Sequence, residues 1–305
     1  MNTLGFDSSF LAHDPGPGHP ERPARAQALE REVFARRPEA ERIEARPATV
    51  EELATAHDRA HVEALLALSG RSIRLDQDTV VSPGTMDAAT RAAGLSIELC
   101  RAVAEGAPPG LALVRPPGHH ATADRAMGFC IFNNVAIAAR ALQAQGLERI
   151  AIYDWDVHHG NGTEAIFWRD PTVLYMSTHQ APLYPGTGAA LDVGEGEGRG
   201  HTLNVPLQEG ADDKALIAAT DEVLTPALRA FAPDMILISA GYDGLAVDPL
   251  AGLAFSPEGY GAVARRWKSL ATELCDGRIA GLLEGGYDLE GLVAATRATL
   301  DAWSD

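Results

Sequence analysis

Cysteine is scarce in this chain of 305 residues. Cys100, Cys130 and Cys275 are far apart and odd in number. They share no metal-type spacing and form no disulfide framework, so they read as buried thiols in a reducing compartment. Long apolar runs are missing as well: none approaches the roughly 18 residues that a membrane helix needs. The first residues lack the basic start and apolar core of a secretory signal. Positive charge is also short. Lys and Arg number 25 against 42 Asp and Glu, a formal net charge of −17. Such a chain repels phosphate backbones, which argues against direct contact with nucleic acid. An acidic surface suits basic peptides or polyamines, although charge alone explains only solubility. The expected setting is the cytoplasm, away from membranes, and a homo-oligomer is compatible with it.

Hydrophobic residues make up 46% of the sequence and charged residues 22%, the balance of a globular protein. Five short apolar runs, 111–114, 150–153, 172–177, 235–239 and 279–283, are rich in β-branched residues and too short for helices. Each reads as a buried strand. Ala- and Leu-rich stretches at 86–105, 134–145, 214–231, 257–275 and 290–303 read as helices. This alternation predicts a mainly parallel sheet covered on both faces. Gly- and Pro-rich segments at 14–23, 184–188 and 192–200 mark surface loops. With no internal repeat, low-complexity tract or linker, residues 1–305 count as one domain.

Ligands of such sheets sit beyond the carboxyl ends of the strands. Four of the apolar runs lead directly into chemistry-bearing residues: His119 and His120; Asp154, Asp156 and His158; Asp243; and Tyr287. Asp154, Asp156 and His158 alternate with Trp155 and Val157, so an extended backbone puts all three on one side. Nitrogen and oxygen donors at this spacing suit zinc, with iron or cobalt as alternatives. Asp243 offers a third ligand from another strand end. Three protein ligands leave a position open for water and substrate, as in a catalytic site. Alone, one Asp-x-Asp-x-His fits loop caps and ion pairs equally well.

His119 and His120 form a tandem pair. A neutral imidazole can take a proton from water and return one to a leaving amine. Asp154 and Asn161 are candidates for orienting the two rings. Since Asn161 is uncharged, its imidazole partner is expected to be the less basic one. Tyr287 could donate a hydrogen bond to a developing oxyanion.

Seven motifs then fall in order: Arg-Pro-Pro-Gly-His-His-Ala (115–121), Gly-Phe-Cys-x-Phe-Asn-Asn (128–134), Asp-Trp-Asp-Val-His-His-Gly-Asn-Gly-Thr (154–163), Ser-Ala-Gly-Tyr-Asp (239–243), Asp-Pro-Leu (248–250), Ser-Pro-Glu-Gly-Tyr (256–260) and Glu-Gly-Gly-Tyr (284–287). Each is weak alone, but the ordered set is specific. The chain resembles the class II histone deacetylases and bacterial histone deacetylase-like amidohydrolases, relatives of the acetylpolyamine amidohydrolases. The resemblance runs from His-Pro-Glu-Arg-Pro (19–23) to the last helix. It implies the arginase–deacetylase α/β fold, a central, mainly parallel eight-stranded sheet with helices on both faces. It also implies one catalytic Zn2+ on Asp156, His158 and Asp243, and His119 and His120 as general base and acid, backed by Asp154 and Asn161. Tyr287 becomes the group that polarises the acyl carbonyl. Phe129 and Tyr184 match the aromatic walls of an acyl-lysine tunnel, with Gly128 and Leu250 beside it. Arg25 matches an arginine of an acetate exit channel. Potassium is implied at Asp154, Asp156, His158 and Ser177, and at a second site on Phe167, Asp170 and Val173.

The implied activity is deacetylation of acyl-lysine in a peptide or protein. Leu250, where polyamine-preferring eukaryotic relatives have Glu, points that way. Hydrolysis of acetylpolyamines or other small acyl amines is the alternative, with Asp76 or Asp78 gripping substrate amides or attracting an amine. A non-catalytic acyl-group reader would need a broken ligand triad or a missing Tyr287. An arginase-type ureohydrolase would need two manganese ions and more carboxylates than the Asp-Trp-Asp-Val-His loop carries.

Overall fold

The computed structural model describes residues 1–304. Its centre is a sheet of eight strands: β1 (Thr3–Gly5), β2 (Glu41–Ile43), β5 (Gly110–Ala112), β6 (Ile150–Asp154), β7 (Val173–Gln180), β8 (Thr202–Leu207), β9 (Met235–Ala240) and β10 (Ile279–Leu283). The spatial order is β2-β1-β5-β10-β9-β6-β7-β8, and every pairing is parallel. A separate antiparallel pair joins β3 (Ile73–Arg74) and β4 (Val80–Val81). Every residue of β5, β6, β7, β9 and β10 is buried. Helices on both faces remove water from both sides of these strands, which is why they read as unbroken apolar runs.

Local chemistry sets the covering helices. Asn133 caps the helix Asn134–Ala144 by accepting from the Ala136 N–H. Ser256 caps Pro257–Leu274, where Pro257 fills a first-turn position that needs no donor. The helix Thr85–Ala104 buries a run of alanines, and packs against Asn134–Ala144; Pro257–Leu274 packs against Leu289–Ser304.

The expected helix over 214–231 is interrupted. It runs as α-helix Asp213–Ala218, π-helix Ala219–Leu224 and α-helix Thr225–Phe231. Pro226 has no N–H and its ring collides with the carbonyl four residues earlier, so the ladder widens by one residue just before it. Residues 155–158 are not extended strand either, since β6 ends at Asp154. The Asp154 carboxylate instead accepts from the Asp156 N–H, and that of Asp156 from the His158 N–H. Two successive turns of this kind keep the alternation: Trp155 and Val157 join the hydrophobic core, while Asp154, Asp156 and His158 meet His119, the Gly285 N–H and Asp243.

The strands whose ends carry the motifs, β5, β10, β9 and β6, are the four central ones. Register aligns Asp154 with Ser239 on one side and Ser177 on the other. The loops leaving these strands therefore emerge side by side.

Candidate active site

Asp156, His158 and Asp243 each offer one ligand atom, all within 4.8 Å of one another. The backbone fixes the two carboxylates. Asp156 Oδ2 accepts from the Gly285 N–H at 2.8 Å, and Asp243 Oδ1 from the Val157 N–H at 2.9 Å. His158 Nδ1 then lies 3.1 Å from Asp156 Oδ1 and 3.2 Å from Asp243 Oδ2. That last oxygen is buried and has no hydrogen-bond partner. Burial, followed by the charge of Asp156, pushes the Asp243 carboxyl up to about 7. Burial would push His158 down, but the two carboxylates outweigh it and raise its pKa. The pocket thus stabilises positive charge, and its unsatisfied oxygen fits an oxygen- and nitrogen-ligated cation.

The tandem rings stand beside this cluster, 4.0 Å apart. His119 Nδ1 is 2.9 Å from Asp154 Oδ2, and His120 Nδ1 is 2.8 Å from Asn161 Oδ1. Burial opposes charge on both rings. On His119 it is overcome by Asp154 and Asp156, and the pKa rises well above the ordinary imidazole range. On His120 the charges of His119 and His158 add to burial, and the pKa falls well below it. The two adjacent imidazoles therefore differ in basicity, His119 being the more basic.

Tyr287 is 8% exposed. Burial pushes its phenol well up, so it stays protonated. Its ring lies 4.9 Å from the Arg25 guanidinium and 5.9 Å, edge-on, from Phe129. Tyr184 stands edge-on to His120 at 5.1 Å and is 39% exposed. Gly128 backs directly onto the His120 ring. Leu250 is half-buried, in the loop organised by Asp248. Ser177 lies level with Asp154 on the neighbouring strand. Phe167 and Asp170 meet at Arg140, which bonds Asp170 Oδ2 at 2.6 Å and covers the Phe167 ring, and Val173 opens β7.

Three residues that sequence reasoning left without a role support the site. Glu21 is fully buried and bonds Arg115, Arg25 and His13. Arg25 in turn donates to the carbonyls of Glu284 and Gly286, each at 2.6 Å, and so holds the loop that carries Tyr287. Glu284 Oε2 accepts from the N–H groups of Gly118 and His119, and burial pushes its carboxyl up to about 7. Asp248 accepts from the Tyr287 N–H at 2.7 Å. All three acids lie within recognised motifs, so the signal was present, but their partners are remote in sequence.

A fully parallel α/β sheet with this cluster at its central strand ends defines a hydrolase class. The family model for the histone deacetylase domain matches residues 19–303, and the chain belongs to that family. It is 41% identical over 300 residues to a "Probable deacetylase" of Archaeoglobus fulgidus, covering 95% of this chain and 82% of that one. It is 46% identical over 259 residues to "Histone deacetylase 14, chloroplastic" of Arabidopsis thaliana, covering 80% of this chain and 61% of the plant protein. It is also 42% identical over 247 residues to "Histone deacetylase-like amidohydrolase" of Pseudomonas aeruginosa, covering 79% and 64%. The chain therefore spans less than two thirds of these last two relatives. The crystal structure of the HDA15 HD domain aligns with a TM-score of 0.95 at 39% identity, covering 99% of this chain and 88% of that one. Among the described residues no helix is long and apolar enough to cross a membrane.

Proposed function

We propose that the chain is a zinc-dependent deacylase that hydrolyses the amide of N-acyl-lysine in a peptide or protein. The observation that carries this reading is the meeting of three ligand atoms from Asp156, His158 and Asp243 beside two imidazoles of opposite basicity. Zinc held there supplies Lewis-acid polarisation of the acyl carbonyl and of water. His120 is the base. Asn161 Oδ1 accepts from its Nδ1–H, which leaves Nε2 free to take the proton of the attacking water. Charged His119, backed by Asp154, gives a proton to the departing amine as the C–N bond breaks. The Tyr287 hydroxyl donates to the oxyanion. Phe129 and Tyr184 flank the methylene stem of the substrate, with Gly128 and Leu250 beside them, and exclude water. Arg25 lines the exit for the carboxylate product.

Potassium would sit on the carbonyls of Asp154, Asp156 and His158 with Ser177. The Ser177 hydroxyl hydrogen-bonds His179 Nδ1 at 2.9 Å, and with its proton directed there its lone pairs face outward. At Phe167, Asp170 and Val173 a cation would rely on main-chain carbonyls, because the Asp170 carboxylate already serves Arg140 and Thr172.

A second reading, hydrolysis of acetylpolyamines, is favoured by one observation. The Tyr184 phenol is pushed up by burial and then by Asp78, whose carbonyl meets the His19 ring that packs on Phe129 at 4.7 Å. The test compares kcat/KM on an acetyl-lysine peptide and on acetylputrescine, before and after chelation. Hydrolysis is expected to favour the peptide, to vanish on chelation and to return with Zn2+. Preference for acetylputrescine selects the second reading; full activity after chelation rejects both.

A further inference from the structure

The motif Asp-Trp-Asp-Val-His-His contains a second imidazole, His159, that the chemistry above does not use. It is 1% exposed and its ring lies 4.9 Å from that of His179, which is fully buried. Both rings reach the loop that carries Tyr184. His159 Nδ1 is 2.8 Å from Thr187 Oγ1, and His179 Nε2 is 3.0 Å from the Gly188 carbonyl.

The partners fix the tautomers. A carbonyl only accepts, so His179 carries its proton on Nε2 and accepts from Ser177 through Nδ1. His159 Nε2 faces Glu164 Oε2 at 3.1 Å, which places its proton there. Its Nδ1 is then left to accept from the Thr187 hydroxyl. Glu164 Oε2 is held in turn by Asn204 Nδ2 at 2.6 Å. Gly188 stands at φ +86°, and a Cβ there would come within 2.6 Å of both rings. The loop backbone is therefore seated directly on the histidine pair.

We propose that His159 and His179 are positioning residues that set the tunnel wall, by gripping Thr187 and Gly188 so that Tyr184 stays against His120. This rests on the deacylase reading for the meaning of the wall, but not for the grip itself. One ring of the His158–His159 pair faces the cation site and the next anchors the wall. Loosening the grip should then weaken substrate binding and leave the chemical groups in place.

Thr187 is exposed, so its replacement removes one hydroxyl without opening the core. The test uses the full chain with Thr187→Val and, as the conservative control, Thr187→Ser. Hydrogen exchange of residues 181–190 is read by mass spectrometry, and KM and kcat are read on an acetyl-lysine peptide. Loss of one net hydrogen bond predicts exchange faster by about fivefold in Thr187→Val, with KM raised by about fivefold and kcat within about twofold. Thr187→Ser should match the parent in each. Unchanged exchange in Thr187→Val, or a fall in kcat at constant KM, overturns the proposal. An inactive parent protein would defeat the deacylase reading, and the exchange comparison alone would then decide the grip.

Discussion

At the scale of single residues, the proposed role of Tyr287 rests on one hydroxyl. Its phenol is protonated and its ring is held by the Arg25 guanidinium at 4.9 Å and the Phe129 edge at 5.9 Å. Tyr287→Phe keeps both ring contacts and removes only the donor. Loss of one oxyanion donor predicts a fall in kcat of about a hundredfold or more, with KM little changed. Steady-state kinetics on an acetyl-lysine peptide measures it, and an undiminished kcat removes the phenol from the mechanism. His119, His120, Asp154, Asp156, His158, Asp243 and Tyr287 were legible because each stands at or soon after the end of a strand run, in a short motif. Glu21 was not, because nothing local to it reveals its partner: Arg115 lies 94 positions away and meets it only through the fold. The same holds for Glu284, whose two backbone donors come from the loop after β5.

Elements tell a parallel story. Long buried strands and Ala-rich helices declare themselves by composition, and the central four strands emerged within a few residues of their observed ends. Strands β1 (Thr-Leu-Gly) and β2 (Glu-Arg-Ile) carry no apolar run, and β8 carries Pro206, which disguises a strand until it is known to lie at a sheet edge. Packing between elements is equally hidden. Gly94 sits inside the helix Thr85–Ala104, where propensity alone would favour Ala by about 1 kcal/mol. A Cβ at that position would lie 1.9 Å from the carbonyl oxygen of Arg46, while the nearby Ala48 N–H bonds the Thr90 carbonyl at 2.9 Å. Backbone meets backbone here, so neither side yields readily. Overpacking of this kind costs about 1–3 kcal/mol, which outweighs the propensity gain. Gly94→Ala should therefore lower the urea midpoint, and a raised midpoint would show that the segment can move aside.

Across the whole molecule, acid stability pits two effects against each other. Lowering the pH from 7 toward the sequence pI of about 4.9 reduces a net charge of −17 and eases self-repulsion. Against this stands His57, 4% exposed, which receives the Asn133 N–H at Nε2 and bonds the Thr122 carbonyl through Nδ1. Burial pushes its pKa down to about 4 from the ordinary 6.5. A folded-state pKa below the unfolded one means that the unfolded chain takes up the proton first. The stabilisation is complete above pH 6.5 and is lost as pH falls toward 4, amounting to about 2 kcal/mol by pH 5. The histidine contribution is local and unscreened, whereas surface repulsion is spread over many solvated charges. Net destabilisation on acidification is expected. Burial pushes His179 down to about 4 as well, so the informative quantity is a difference between variants. His57→Gln keeps a donor and an acceptor and cannot charge. Thermal melts at pH 7 and pH 5 should show the parent protein losing more stability than His57→Gln; equal losses would mean that His57 does not carry the acid response.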